Sequence, residues 1–130
     1  MRSVSTIHVW DLDPIIQPQG YVSVPLANRE IIFELNNAHE RMYAAKCLLK
    51  VRHPQSDVDN LLFERFIQPE DHILDAGANI GYTALTFLAL GAKKVVALEP
   101  VPYLFDRLST LAGNDLITVE KAVSAEEGQA

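Results

Sequence analysis

The sequence predicts an α/β fold in which a parallel β-sheet follows a β-hairpin and a helix. First, short apolar strands alternate with apolar helices from about residue 56 onward. Second, these strands are apolar on both faces, which is typical of parallel sheets covered by helices. Third, two β-rich runs near residue 30 are separated by only three residues, the spacing of a hairpin.

Composition limits the classes of function. The length of 130 residues suits one domain, and 48% hydrophobic with 22% charged residues is ordinary for a globular protein. The net charge of -6 argues against a nucleic-acid backbone as the main partner. No apolar run approaches the roughly 18 residues of a membrane span. The single cysteine excludes an internal disulfide and fits a cytoplasmic location.

Residues 1–55 are expected to form an N-terminal region of their own. We predict an arm interrupted by prolines, two hairpin strands, a helix and a linker, over residues 1–20, 21–26, 30–35, 37–50 and 52–55. The helical periodicity directs Met42, Ala45 and Leu49 inward, with Cys47 as a further small buried residue.

Residues 56–130 carry the α/β pattern. Ser56 and Asp59 have the spacing of a capping box, which predicts a helix start. Apolar residues then follow at helical intervals, at Val58, Leu61, Leu62 and Phe66. Three strands and two helices come next, over 72–76, 82–90, 95–98, 102–112 and 117–123. Strands and helices in this order build a parallel sheet with right-handed crossovers.

A glycine-containing turn, residues 75–82, joins the first of these strands to the next helix. Such a turn presents backbone N–H groups and the positive end of a helix dipole to a ligand. Gly77 permits a sharp turn, Gly81 lets the helix start pack closely, and Asn79 tolerates positive φ. Glu99 ends the next strand 18 residues after Gly81. A carboxylate there can accept both hydroxyls of a ribose, so the pattern predicts a nucleoside-containing ligand.

The glycine spacing disfavours a dinucleotide. That fingerprint, counted from Gly77, requires glycines at the positions of Asn79 and Tyr82, and the first of these lets a pyrophosphate approach the backbone. A P-loop is also excluded, because no Gly-Lys-Ser/Thr follows. An adenosine linked to an amino acid contains no pyrophosphate and tolerates Asn79.

Residues 73–82 followed by Ala97-Leu98-Glu99-Pro100 resemble the FkbM family of S-adenosylmethionine-dependent methyltransferases, in which a D-x-G-A-N-x-G-Y turn and a closing E-P are typical. The resemblance extends over about residues 57–128 and includes an acidic turn at 126–128. It implies the first three strands of a class I, Rossmann-like methyltransferase domain, with S-adenosylmethionine as cofactor. The activity implied is methyl transfer to an oxygen of a small molecule or sugar.

The resemblance also implies the cofactor-binding residues. They are Asp75, Gly77, Ala78, Asn79, Gly81, Tyr82, Glu99, Ala122 and Val123. In that assignment Asp75 and residues 77–81 surround the methionine end, and Glu99 holds the ribose. Ala122 and Val123 lie near the adenine.

Two features set the limits of this interpretation. The fourth strand that the family places beside the first does not follow here, so we expect a cofactor half-site that is inactive alone, with a hydrophobic edge strand. Catalytic residues are not identified, because no nucleophile–base pair is visible and methyl transfer rests mainly on proximity. The four histidines show no metal-ligand spacing, so we expect no metal site.

Other functions stay open at this point. Similar turns occur in RNA and protein methyltransferases, although no basic stretch that would favour RNA is visible. A non-catalytic Rossmann-like binding module is the alternative outside enzymes. A small-molecule substrate is expected and a membrane is not, while the sequence does not determine the oligomeric state.

Overall fold

The computed structural model describes residues 20–125, and these residues confirm the α/β fold. Its elements are β1 (Tyr21–Leu26), β2 (Arg29–Glu34), α1 (Ala38–Leu49), α2 (Pro54–Phe66), β3 (His72–Ala76), α3 (Tyr82–Ala89), β4 (Lys94–Leu98), α4 (Pro102–Ser109) and β5 (Leu116–Val119). The predicted arm, up to residue 19, and the acidic turn at 126–128 lie outside the described residues. The described chain divides into two compact units, 20–25 with 30–62, and 26–29 with 63–125.

The hairpin of β1 and β2 turns through two residues, one fewer than the spacing suggests. Ala27 and Asn28 both have positive φ, at 50° and 61°, as in the turn type whose twist matches that of paired strands. Val24, Ile31 and Phe33 are buried, whereas Ile32 between the last two is 54% exposed. This alternation with a period of two residues makes one face of the hairpin part of the first unit's core.

Helix α1 lies where the sequence predicts it. The Asn37 side chain accepts the Glu40 N–H at 3.1 Å, which caps the helix start. Ala45 is buried, and Met42 and Cys47 are half-buried, as the periodicity indicates. Leu49 is 55% exposed, so its predicted inward direction is wrong. Its position in the last turn leaves it on the rim of an open apolar groove of about 150 Å³.

Helix α2 begins at Pro54, two residues before the predicted start. Proline is favoured in the first turn, where no N–H donor is required, and His53 Nδ1 accepts the Ser56 N–H at 3.1 Å. The Ser56 capping box is therefore wrong. Its hydroxyl accepts a hydrogen bond from Lys46 Nζ at 2.6 Å instead. Four of the apolar residues of α2 are 49–69% exposed, at Val58, Leu61, Leu62 and Phe66.

The parallel sheet of the second unit has the strand order β3-β4-β5. Because this order advances in one direction, right-handed crossovers place α3 and α4 on the same face. Val95, Ala97 and Leu116 share that face and are fully buried. On the opposite face Leu74 is 61% and Ile117 42% exposed. The strands are apolar on both faces, as the sequence shows, but the described residues cover only one.

Strand β5 ends at Val119, four residues before the predicted end. The Val119 carbonyl accepts the Glu99 N–H at 3.1 Å, which is the last bond of this ladder. The next N–H of this chain segment on the same side is that of Val101, and it donates to Glu99 Oε2 at 2.9 Å and not to β5. Lys121 N–H then bonds back to the same carbonyl at 3.0 Å, so the chain leaves the sheet there. None of the helices described is long and apolar enough to cross a membrane.

We expect lysines at both exposed positions of the uncovered face, in the double variant Leu74→Lys/Ile117→Lys, to reduce self-association and binding of a hydrophobic dye. The free energy of unfolding should change by less than about 1 kcal/mol per site, because both residues are already exposed in part, Leu74 by 61% and Ile117 by 42%. Light scattering, dye fluorescence and urea unfolding measure these effects. Ala89→Lys, on exposed helix surface, controls for added charge. Equal association in the double variant and the wild type would contradict the prediction.

Candidate functional site

The site is built where the carboxyl ends of β3 and β4 lie side by side. Asp75 pairs in register with Ala97, and Ala76 with Leu98. The chain then turns back over the end of β4, because the N–H groups of both Gly77 and the next residue donate to the Leu98 carbonyl at 2.9 Å. The turn is thus fixed to the neighbouring strand, at the sheet edge where open α/β sheets bind ligands.

The Glu99 carboxylate holds two segments of this site together. Its Oε1 accepts the Asn79 N–H at 2.8 Å, and its Oε2 accepts the Val101 N–H at 2.9 Å. The side chain is only 5% exposed. Hydrogen bonds to a charged acceptor are worth about 1.5–3 kcal/mol each, so this carboxylate fixes both the turn and the entry to α4. The structure therefore brings Glu99 against the turn, as the sequence predicts, and gives it a structural role.

Every backbone N–H of residues 77–81 has an acceptor within the protein. The first two donate to Leu98, and the third to Glu99. The Ile80 N–H donates to Asn79 Oδ1 at 2.9 Å, and the Gly81 N–H to the Ala78 carbonyl at 3.0 Å. A phosphate-binding loop instead presents several unpaired N–H groups to the anion. The geometry of this turn therefore disfavours a phosphate at residues 77–81.

The two glycines of the turn have different roles. Gly77 has φ of 77°, and an added Cβ would meet no atom within 4 Å, so its surface is open to a ligand. Gly81 has φ of 101° and no space: an added Cβ would lie 2.8 Å from Leu111 Cδ1 and 2.9 Å from Leu108 Cδ1. Asn79 has φ of 55°, in the left-handed region that its residue type tolerates. Gly77 faces outward, whereas Gly81 is a packing position.

Asp75 contributes a buried acceptor with no partner. Its Oδ2 makes no hydrogen bond within the protein. Burial raises the pKa of the Asp75 carboxyl above its ordinary value. A buried carboxylate oxygen without a donor is unfavourable, and a ligand carrying a positive or hydrogen-bonding group would satisfy it. Asp75 and Gly77 therefore fit a cationic ligand at the carboxyl end of β3.

The remaining predicted residues are distributed unevenly. Ala78 is buried, so its side chain packs inside, and Tyr82 is half-buried in the first position of α3. Ala122 and Val123 are exposed and lie beyond the end of β5. Within residues 20–125, no group of three or more His, Cys, Asp or Glu side chains is placed to hold a metal.

Sequence reasoning missed four residues that form the site with Glu99 and the glycines. They are Leu98, Val101, Leu108 and Leu111. Leu98 and Val101 contribute backbone atoms to the site, so their residue types do not indicate this role. The two leucines are part of the apolar periodicity of residues 102–112, but nothing in that pattern identifies Gly81 as their partner.

Comparison with known proteins supports the fold of the chain. No protein-family model matches the sequence, and no curated relative matches it. Among solved structures, a SAM-dependent methyltransferase of Agrobacterium tumefaciens aligns with 84% of this chain and 34% of its own length. Its TM-score is 0.53 at 12% identity. The fold is Rossmann-like.

Two further solved structures align over shorter regions. A SAM-dependent methyltransferase of Leishmania major covers 60% of this chain and 35% of its own, with a TM-score of 0.44 at 25% identity. The YcgJ protein of Bacillus subtilis covers 51% of this chain and 30% of its own, with a TM-score of 0.44 at 18% identity. The chain thus spans about a third of the length of the structures to which it is similar.

We expect Glu99→Gln to destabilise the protein by about 1–3 kcal/mol. The amide places an NH₂ group against one of the two backbone N–H donors, and that partly buried donor loses its acceptor. Urea unfolding followed by circular dichroism measures the effect. Glu120→Gln, at an exposed position after β5, is the matched control and should change the unfolding free energy by less than about 0.5 kcal/mol. Equal midpoints for both variants would refute the structural role of Glu99.

We expect Asp75→Asn to stabilise the ligand-free protein at neutral pH. Because the folded-state pKa of Asp75 is raised, the folded state binds more protons than the unfolded state between the ordinary aspartate pKa of about 3.9 and the raised value. The free-energy cost of burying the charged carboxylate is therefore absent below that pH window and fully present above it. The stability difference between variant and wild type, from urea unfolding across pH, should grow as pH rises through the window. A constant difference would contradict it.

Proposed function

We propose that this chain carries the S-adenosylmethionine-binding part of a methyltransferase domain. One observation supports the proposal most directly. In the glycine-containing turn every N–H of residues 77–81 has an acceptor within the protein, and the turn lies beside two acidic residues, Asp75 and Glu99, at the carboxyl ends of adjacent parallel strands. This arrangement suits a nucleoside ligand that is cationic and carries no phosphate.

The charge and hydrogen bonding of the site separate the two nucleotide classes. A dinucleotide requires unpaired N–H donors for its pyrophosphate, whereas the Asn79 N–H donates to Glu99 at 2.8 Å. S-adenosylmethionine has no phosphate and carries a sulfonium and an ammonium group. The unpartnered Oδ2 of Asp75 is an acceptor suited to the ammonium. The sequence motifs at 73–82 and 97–100 support membership of the FkbM family.

Each residue then has a proposed role toward the cofactor. Asp75 would bind the amino-acid end, and Gly77 would let it approach the turn without a steric clash. Glu99 would accept ribose hydroxyls on the lone pairs that its two backbone bonds leave, since a carboxylate has about four acceptor sites. Ala122 and Val123 would lie against the adenine, as the family resemblance implies.

The chemistry proposed is methyl transfer to an oxygen of a small molecule or sugar. When bound, S-adenosylmethionine supplies an electrophilic methyl group on its sulfonium. The chain's contribution would be to hold the cofactor in a fixed orientation, since placing reactants in line accounts for much of the rate of such a transfer. No residue of this chain is assigned as a base. The single cysteine, Cys47, suits a cytoplasmic location, which also stays a prediction.

We further propose that this chain supplies only part of the site. The second face of the sheet is exposed at Leu74 and Ile117, and β3 is an edge strand of the described sheet. A Rossmann-like sheet normally has helices on both faces and strands on both sides of its first strand. The missing layer would come from polypeptide beyond the described residues or from another chain. Methyl transfer by these 130 residues alone is therefore not expected.

The first test is calorimetric titration of the chain with S-adenosylhomocysteine and, separately, with NAD. We expect binding of S-adenosylhomocysteine only. Glu99→Ala should weaken this binding about tenfold to a hundredfold, because a hydrogen bond to a charged acceptor is lost. Circular dichroism before each titration shows whether the variant is folded. Glu120→Ala is the matched control and should bind as the wild type does.

The other outcomes separate the alternatives. Binding of NAD would refute the methyltransferase proposal. A folded chain that binds neither ligand would favour a non-catalytic Rossmann-like module. Binding of S-adenosylhomocysteine together with an RNA or a protein substrate would assign the other methyltransferase classes.

A further inference from the structure

Arg29, the first residue of β2, contacts the end of α4 and the start of β5 within the second unit. Its Nε donates to the Leu111 carbonyl at 2.7 Å. Its two terminal nitrogens face both carboxylate oxygens of Asp115, one of them at 3.4 Å, and Nη1 also donates to the Ala27 carbonyl at 3.0 Å. The Arg29 side chain is only 16% exposed. The guanidinium is therefore partly buried and bonded to three acceptors, which distinguishes it from an ion pair on the protein surface.

The residue whose carbonyl Arg29 binds is also the residue that packs against the turn. The Leu111 side chain is 6% exposed, and its Cδ1 lies where a Cβ on Gly81 would approach to 2.8 Å. Gly81 ends the turn and begins α3, with its N–H bonded to the Ala78 carbonyl at 3.0 Å. A shift of Leu111 would therefore change the packing of Gly81 directly, because no space separates them.

Two neighbours of Arg29 fit this arrangement. A Cβ on Gly113 would lie 2.9 Å from Arg29 Nη2, so a side chain at this position would force the guanidinium to shift. The Asp115 carbonyl accepts the Val95 N–H at 2.8 Å, which fixes the backbone of the ion-pair partner to β4. The Arg29 guanidinium beside Asp115 holds the pKa of that carboxyl below its ordinary value. The fork of Arg29 thus joins a fixed carboxylate to a fixed carbonyl.

We propose that Arg29 is a positioning residue for the ligand-binding turn, acting on Gly81 through Leu111. The identity of the ligand rests on the function proposed above, whereas the chain of contacts from Arg29 to Gly81 does not. Lysine cannot replace arginine here, because a single ammonium on a flexible chain does not span Leu111 O and Asp115 together in a planar fork.

The test compares Arg29→Lys and Gly113→Ala with a matched control. Gly113 does not have positive φ, so alanine is compatible with its backbone and acts by displacing the guanidinium. Lys93→Met removes an exposed ion pair of the same unit, in which Lys93 Nζ lies 3.1 Å from Glu70, and serves as control. The readouts are the Gly81 amide shift in ¹H–¹⁵N spectra of the ligand-free chain and the Kd for S-adenosylhomocysteine.

We expect both test variants to move the Gly81 amide resonance and to raise Kd about fivefold, within the range found for residues that act through others. Lys93→Met should change neither. The proposal is overturned if Arg29→Lys lowers stability while the Gly81 shift and Kd stay at wild-type values, since that pattern marks a structural role alone. If Arg29→Lys does not fold, Gly113→Ala decides in the same way.

The two proposals fail differently. If the wild-type chain does not bind S-adenosylhomocysteine but the Gly81 resonance moves in both test variants, the ligand proposal is refuted and the positioning role of Arg29 is supported. If the wild-type chain binds and neither variant changes Kd or the resonance, the positioning role is refuted while the ligand proposal stands.

Discussion

The bidentate hydrogen bonding of the Glu99 carboxylate is the interaction on which the rest of the site depends. It joins the Asn79 N–H, in the turn after β3, to the Val101 N–H, at the entry to α4. Without it, two partly buried N–H donors from separate segments would each lose a hydrogen bond to a charged acceptor, which is worth about 1.5–3 kcal/mol. With it, the turn uses all its own donors and presents an acidic side chain and an open glycine surface. One carboxylate thus fixes the turn and the entry to α4 together.

Glu99 and Arg29 hold different parts of the same turn. Glu99 holds its middle through Asn79, while Arg29 holds the packing partner of its last residue, Gly81. In both cases a charged side chain is hydrogen-bonded to backbone atoms, and such hydrogen bonds have a stricter geometry than apolar contacts. Asp75 differs, since its Oδ2 has no donor and its pKa is raised by burial. A carboxylate left unsatisfied inside an otherwise satisfied site is typical of positions reserved for function rather than stability.

Much of the fold and part of the candidate site could be predicted from the sequence, and the predictions that were wrong have physical causes. The strands, the helices and the nearness of Glu99 to the turn follow from apolar periodicity and from the geometry of parallel sheets. The end of β5 was not predictable from residues 120–123, because the Val101 N–H that would continue its ladder donates to Glu99 Oε2 instead. The start of α2 depends on a histidine nitrogen replacing the Ser56 cap. The role of Arg29 could not be predicted, because its partners Leu111 and Asp115 lie 82 and 86 residues away in the sequence.

The order of the parallel strands has a consequence for how the chain folds. Each strand of the sheet pairs with its immediate successor, β3 with β4 and β4 with β5, so every pairing closes a loop of only one helix. Contacts of such short sequence separation cost little loop entropy and form early. During synthesis the sheet can therefore grow by one strand–helix unit at a time, with β4 docking as soon as it leaves the ribosome. Within the described sheet, the edge strand β3 is then the first strand to be synthesised, and β5 is the last.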